Sequence, residues 1–157
     1  MDLSIIIPIY NEEGNIDKLF SRLNQVIQKL NLKEVEYIFI NDGSKDRSLE
    51  LIKTLAKRES SVKYINLSRN FGHQIAVSAG LDNSKGDAVV IIDADLQDPP
   101  ELIEDLYRKL REGNEVVYAK RRSRQGEGAM KKFTAKLFYR ILRNVTAINI
   151  PVDTGDF

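Results

Sequence analysis

Ala88-Val-Val-Ile-Ile-Asp-Ala-Asp-Leu-Gln-Asp-Pro-Pro-Glu101 is the stretch from which the rest of the chain is read. Ala88 to Ile92 is the longest purely apolar run in the sequence, and four of its five residues are β-branched. Such a run, bounded by polar residues, reads as a strand buried on both faces of a parallel sheet. It is far too short to cross a bilayer. Two aspartates follow at once, and then Asp98-Pro-Pro100 reads as the opening of a helix. Aspartate caps a first turn and proline fits within it.

The same alternation extends in both directions. Leu3 to Ile7 reads as a strand closed by Pro8, because proline cannot donate to the ladder. Val35 to Ile40 and Val62 to Leu67 read as further strands, and Glu115 to Ala119 as a fifth. Between them apolar residues recur at helical spacing. Asn11 caps the first helix, with Glu12 and Glu13 in its first turn and Ile16, Leu19, Phe20, Leu23, Ile27 and Leu30 on one face. Asp46 starts the second, with Leu49, Ile52, Leu55 and Ala56 inward. Residues 72–83 form a third. Leu102, Ile103, Leu106 and Leu110 mark a fourth, ended by Gly113. Strands alternating with helices imply a mostly parallel sheet covered on both faces. Ligands bind such sheets outside the carboxyl ends of the strands. The segments to inspect are therefore Pro8–Glu13, Asn41–Asp46, Ser68–Gly72, Asp93–Asp98 and Lys120–Gly128.

Asp93 and Asp95 stand two apart, so in an extended segment both carboxylates face one spot. Two unit charges about 4 Å apart repel by roughly 4 kcal/mol at an effective dielectric near 20. A cation relieves that, and oxygen-only ligands suit Mg²⁺ or Mn²⁺. Gln97 offers an amide oxygen to the same spot, or is a plain surface residue. Asp98 is read as a helix cap. Asn41-Asp42-Gly43-Ser44 is either a tight turn or a place where Asp42 accepts bonds from a base or ribose. Tyr10 can line a base, while Asn11 and Glu12 either bind its polar edge or cap the helix. There is no G-x-G-x-x-G and no G-x-x-x-x-G-K-[ST], so any phosphates fall to a metal and to basic side chains. Arg121, Arg122 and Arg124 are candidates for that, or a loop of solvated arginines. His73 is read as structural or pocket-lining.

Composition narrows the classes further. The absence of cysteine excludes disulfides and thiolate metal sites, and a single histidine excludes a multi-histidine zinc site. Residues 1–119 carry 15 basic against 20 acidic groups, net −5, whereas residues 120–157 carry 9 against 3, net +6. That split points the last quarter toward an anionic partner. Within it, Phe133, Leu137, Phe138, Ile141, Leu142 and Val145 share one helical face. Lys132, Lys136, Arg140 and Arg143 form a stripe beside them. Such a helix suits a membrane surface, or packs on a core with its charged side outward. Nucleic acid fits poorly, with basic charge on one helix and aromatics at 8%. The chain enters a strand pattern directly, with no signal-peptide pattern, and a cytoplasmic, reducing setting is the expectation. The ending at Gly155-Asp-Phe157 reads as a truncation of one catalytic domain spanning 1–157.

Ile5-Ile-Ile-Pro-Ile-Tyr-Asn-Glu-Glu13, Asn41-Asp-Gly-Ser44, Ser68-Arg-Asn-Phe-Gly72 and Asp93 to Glu101 together resemble family 2 glycosyltransferases. Within these the chain is most similar to the dolichyl-phosphate mannose synthase and bactoprenol glucosyl transferase branch. The resemblance implies a GT-A fold, a Rossmann-like three-layer sandwich, and a nucleoside-diphosphate sugar donor, UDP before GDP. It implies that Pro8, Tyr10, Glu12 and Asp42 serve the base and ribose. It puts Asp93 on the ribose or metal side, and Asp95 and Gln97 on the metal. Gly155-Asp-Phe157 resembles a further motif, which makes Asp156 a catalytic candidate near the acceptor beside Asp95. The implied reaction is inverting, metal-dependent transfer of a hexose to a polyprenyl phosphate at the cytoplasmic side of a membrane. Transfer to a saccharide or cell-envelope hydroxyl is the alternative enzyme. A nucleotide-sugar-binding module without activity of its own is the alternative from another class. A homo-oligomer is left open.

Overall fold

The computed structural model describes residues 1–119. Arg121, Arg122, Arg124, Asp156 and the basic 130–145 stretch lie outside the described residues. Element order is β1 (Leu3–Ile9), α1 (Ile16–Lys29), β2 (Val35–Asn41), α2 (Ser48–Arg58), β3 (Val62–Asn66), α3 (His73–Asp82), β4 (Ala88–Ile91) and α4 (Leu102–Arg111). Among the described residues the four strands form one all-parallel sheet in the order β3-β2-β1-β4.

β1 sits in the middle and is buried along its whole length. Its odd residues and its even residues point to opposite faces. Leu3, Ile5, Ile7 and Ile9 join Tyr37 and Phe39 in the larger core, against Leu19, Leu23 and Val26 of α1, Ile52 and Leu55 of α2, and Ile103 of α4. Ile6 faces the other way, with Ile38, Ile40 and Ala76 in a smaller core under α3. Gly80 lets α3 lie close, since a Cβ there would stand 2.5 Å from Ile6 Cγ2 and 2.9 Å from Ile40 Cδ1. The result is the expected three-layer arrangement.

Four local expectations are corrected. Pro8 does not end β1, which runs to Ile9. The Ile6 carbonyl accepts from Ile92 N and the Ile9 carbonyl from Asp42 N, so even residues of β1 face β4 and odd ones face β2. The missing N–H of Pro8 therefore falls on the β4 side, past the last register pair Ile6↔Ile91, and costs the ladder nothing. Asn11 does not cap α1, whose N-cap position is Asn15. Asp98 does not cap α4, which starts at Leu102 after a turn in which Leu102 N bonds the Pro99 carbonyl. Glu115–Ala119 forms no strand. It stands across an apolar groove of about 320 Å³ from the edge of β4, and Val116 is 81% exposed. β-branched residues make a segment competent for a strand, but only a ladder partner makes it one.

Candidate active site

At the carboxyl ends of the strands lies a cavity of about 280 Å³, lined by Pro8, Ile9, Tyr10, Glu12, Asp42, Asn70, Gly72, His73, Ala76, Asp93, Ala94 and Asp95. Every described strand sends the segment that follows it toward this place. The cavity thus brings together Pro8, Tyr10, Glu12, Asp42, Asp93 and Asp95 among the expected residues. It does not bring Asn11 or Gln97 to its lining.

The segments after β1 and β2 are tied to one another. Asn11 N donates to Ser44 Oγ (3.0 Å), Glu12 N to Ser48 Oγ (2.9 Å) and Glu13 N to Asp46 Oδ2 (3.1 Å). In return Lys45 N donates to Asn11 Oδ1 (2.8 Å) and Arg47 N to Glu13 Oε2 (2.9 Å). Asn11 takes φ 58° to do this, a left-handed conformation asparagine tolerates better than most residues. Its amide is thus a brace between loops. Asp46 also accepts from Ser48 N at the start of α2. Burial pushes its carboxyl up, but the bonds from Ser48 and Glu13 outweigh that and hold it below the usual carboxylate range.

The segments after β2 and β3 are tied as well. Asp42, 3% exposed, accepts from Phe71 N (2.7 Å, Oδ1) and Gly72 N (3.0 Å, Oδ2). Gly43 has φ +66°, and a Cβ there would stand 2.4 Å from the Arg69 carbonyl carbon. Only glycine fits both the turn and this contact. Asn41 Nδ2 donates to Asn66 Oδ1 at 2.7 Å, and the Arg69 guanidinium lies 4.7 Å from the centre of the Phe71 ring.

The segment after β4 is built differently. Ala94 and Asp95 form a turn rather than extended chain. Asp93 and Asp95 both line the cavity nonetheless. Asp95 Oδ1 accepts from Gln97 N at 2.9 Å, which closes the turn locally. Leu96 takes φ 61°, strained for a bulky side chain, and packs against the larger core. Asp93 Oδ1 lies 3.7 Å from His73 Nδ1, the first residue of α3.

Asn70, Gly72 and His73 enter the lining from the loop after β3. Ser68–Gly72 was among the strand-end segments to inspect, but Asn70 was not singled out. Its signal was an asparagine two residues before a glycine at a parallel strand's end. Two carboxylates bordering one polar cavity are a hard-oxygen donor set that suits Mg²⁺ or Mn²⁺ completed by water and phosphate oxygens. Among the described residues no group of three or more acidic, histidine or cysteine side chains converges as a self-sufficient metal cage. A cation here would need further ligands from beyond these described side chains.

The glycosyl transferase family 2 model matches residues 4–157. An uncharacterized glycosyltransferase of Synechocystis sp. is 54% identical over all 157 residues, which cover 49% of that protein. The bactoprenol glucosyl transferase of Shigella phage SfV is 41% identical over the whole chain, which covers 51% of it. The chain thus spans about half the length of these relatives. Among solved structures, S. aureus TarS 1–349 in complex with UDP-GlcNAc superposes with a TM-score of 0.61 at 24% identity, covering 82% of this chain and 37% of that one. That likeness shows the fold, which is of GT-A type.

Proposed function

The chain belongs to glycosyl transferase family 2, and from that premise we propose that it moves a hexose from a nucleoside-diphosphate sugar to a polyprenyl phosphate, with inversion. The observation that carries this reading is the single cavity where Pro8, Tyr10, Glu12 and Asp42 border Asp93 and Asp95. Pro8, Tyr10, Glu12 and Asp42 form the base and ribose wall. Asp93 and Asp95 form the diphosphate wall, with Gln97 beside them. UDP is the proposed nucleotide ahead of GDP. The relatives named bactoprenol glucosyl transferase support the lipid acceptor. The reaction would then run at the cytoplasmic face of a membrane. Among the described residues no helix is long and apolar enough to cross one.

The chemistry is one in-line displacement. An acceptor oxygen bonds to the anomeric carbon as the bond to the diphosphate breaks and its electron pair leaves with the diphosphate. When bound, Mg²⁺ or Mn²⁺ supplies charge neutralisation at the leaving group. Asp93 and Asp95 would hold that ion, and the base wall would fix the other end of the donor. Arg121, Arg122 and Arg124, which lie outside the described residues, are the proposed source of positive charge for the phosphates. A polyprenyl phosphate has a second pKa near 6, like other phosphate monoesters, and attacks at neutral pH without a base. A sugar hydroxyl needs a positioned carboxylate, the role open to Asp156.

The acceptor is tested by Asp156→Asn in a transfer assay with UDP-glucose and a short-chain polyprenyl phosphate. Turnover within about tenfold of the parent supports the phosphate acceptor, since general-base catalysis contributes about 10²–10⁴-fold where it operates. A loss of that full size, together with transfer to a saccharide, would sink it.

A further inference from the structure

The two faces of the sheet are covered unequally. α1, α2 and α4 bury one face, whereas among the described residues α3 alone lies on the other. A helix is about 10 Å across and strands lie about 4.8 Å apart, so one helix covers about two strands. α3 takes β1 and β2, where Ala76 meets Ile6, Ile38 and Ile40. β4 is left beside it. Val89 and Ile91 stand level with Ser4 and Ile6 and so point to the α3 side of the sheet. Val89 is 37% exposed. On α3, His73, Val77 and Leu81 follow at four-residue spacing, and His73 lies by Asp93 after β4, so this row looks toward β4. Leu81 is 44% exposed. The apolar strip runs on into the groove of about 320 Å³ at the edge of β4, which Val89 and Ile91 also line. The groove's charged lining residues are Asp87 and Glu115, both acidic and both exposed.

We propose that residues 130–145 of this chain dock on that strip, apolar side inward, as a second helix in the α3 layer. Phe133, Leu137, Phe138, Ile141, Leu142 and Val145 recur at helical rather than alternate spacing, so the stretch fits a sheet face and not a ladder. Lys132, Lys136, Arg140 and Arg143 run beside that apolar side and bring positive charge to Asp87 and Glu115, on a body whose residues 1–119 carry a net −5. Residues 120–129 join the stretch to Ala119 just past the groove and reach about 33 Å when extended, enough to deliver it there. The docking is independent of which donor the cavity takes. It buries the apolar side of the stretch on the sheet, so that a membrane meets only its basic stripe.

The chain has no cysteine, so one introduced thiol reports on one place. Val89→Cys puts it under the docked stretch. Ile75→Cys, at a position 52% exposed on the other flank of α3, is the open reference. In the full 157-residue chain, N-ethylmaleimide should label the Val89→Cys thiol about tenfold or more slower than the Ile75→Cys thiol. Adding Leu137→Asp should bring the Val89→Cys rate close to the reference and leave the Ile75→Cys rate unchanged. Lys136→Glu with Arg140→Glu spares the apolar side and sets like charges against Asp87 and Glu115. That pair should raise the Val89→Cys rate a few-fold. Amide protection at Ile5, Ile6 and Ile7 in β1 shows that each variant keeps the fold, and should Leu137→Asp lose it, the charge-reversed pair decides. Vesicles of phosphatidylcholine and phosphatidylglycerol should leave the Val89→Cys thiol slow. Equal labelling of the two thiols without vesicles would overturn the docking, as would a Val89→Cys rate indifferent to both sets of changes in 130–145. Fast labelling joined to vesicle binding that Leu137→Asp abolishes would overturn it too, and give the apolar side to the membrane.

Discussion

The two walls of the cavity are made on opposite plans. The proposed base wall consists of three loops, after β1, β2 and β3, that bond to one another across 29 to 36 residues of sequence through side chains of Asn11, Glu13, Asp42, Ser44, Asp46 and Ser48. The proposed diphosphate wall is one loop, closed on itself by Gln97 N to Asp95 and carrying a leucine at φ 61°. A wall whose polar backbone groups are already paired has little ordering left to do when a ligand arrives. A strained, locally closed loop is held by its own packing, here Leu96 on the core, and borders the cavity with its two carboxylates.

The largest expected effect comes from breaking the second wall at its charge. Asp95→Asn keeps the size and the acceptor for Gln97 N but removes the negative charge. Transfer should fall on the order of 10²–10³-fold, the loss typical when one preorganised electrostatic contact to a developing charge is removed. UDP affinity without metal should stay near that of the parent, and the enhancement by Mn²⁺ should vanish. Parallel loss of metal-free UDP affinity would show that the walls are not separable, and the comparison would fail.

The first wall breaks by sterics rather than charge. Gly43→Ala puts a Cβ where the backbone of Arg69 and Asn70 already stands, at φ +66°. Backbone strain of this kind costs about 1–3 kcal/mol, and the displaced loop carries Asn70 out of line. Nucleotide affinity should drop about tenfold or more with or without Mn²⁺, and the melting temperature should fall, as read by calorimetry. A normal manganese enhancement on that weakened binding would sharpen the distinction between the walls.

How much of this could be read beforehand follows from the range of each interaction. The four parallel strands were legible because their apolar runs are local, and the cavity's position followed from parallel topology alone. Asp93 and Asp95 were legible as a pair, although the turn at Ala94 was not. The braces were invisible, because each of their residues has an adequate local explanation. Asn11 followed by Glu12 and Glu13 looks like a helix cap, yet the cap position is four residues later at Asn15, whose side chain bonds Glu12 at 2.7 Å. Asp42-Gly43 looks like a turn, and it is one, but the carboxylate bonds a loop 29 residues away. The Glu115–Ala119 segment failed as a strand for the complementary reason. Its pattern was right, but among the described residues it pairs with no strand, which no local pattern records.

A smaller effect is expected from relaxing the second wall. Leu96→Gly removes the positive-φ strain, about 1–2 kcal/mol, and with it the leucine's packing on the core. The two changes oppose each other, so the melting temperature should move by only a few degrees. The loop, freed of its anchor, should hold Asp95 less well. The manganese gain should fall a few-fold while metal-free UDP affinity stays unchanged. An unchanged manganese gain would mean that the strain at Leu96 is incidental to the site.

The smallest effect on binding is expected from the opposite end of the sheet, which serves as the control for both walls. There Glu36, 1% exposed, accepts from Ser4 Oγ (2.6 Å), Lys63 Nζ (2.6 Å) and Lys85 N (2.8 Å). Burial raises its carboxyl, but Lys63, Ser4 and Lys85 outweigh that and hold it below its ordinary value of 4.5. The unfolded chain therefore binds more protons than the folded one just below pH 4.5, so stability rises with pH through that window and is fully present above it. As pH falls through the depressed value, the contribution is lost. Glu36→Gln should flatten this part of the stability profile and leave UDP affinity at neutral pH within about twofold, because nothing in the cavity touches Glu36. Altered nucleotide binding in Glu36→Gln would mean that the sheet transmits strain from one end to the other. The preorganisation assigned to the braced loops would then belong to the whole layer.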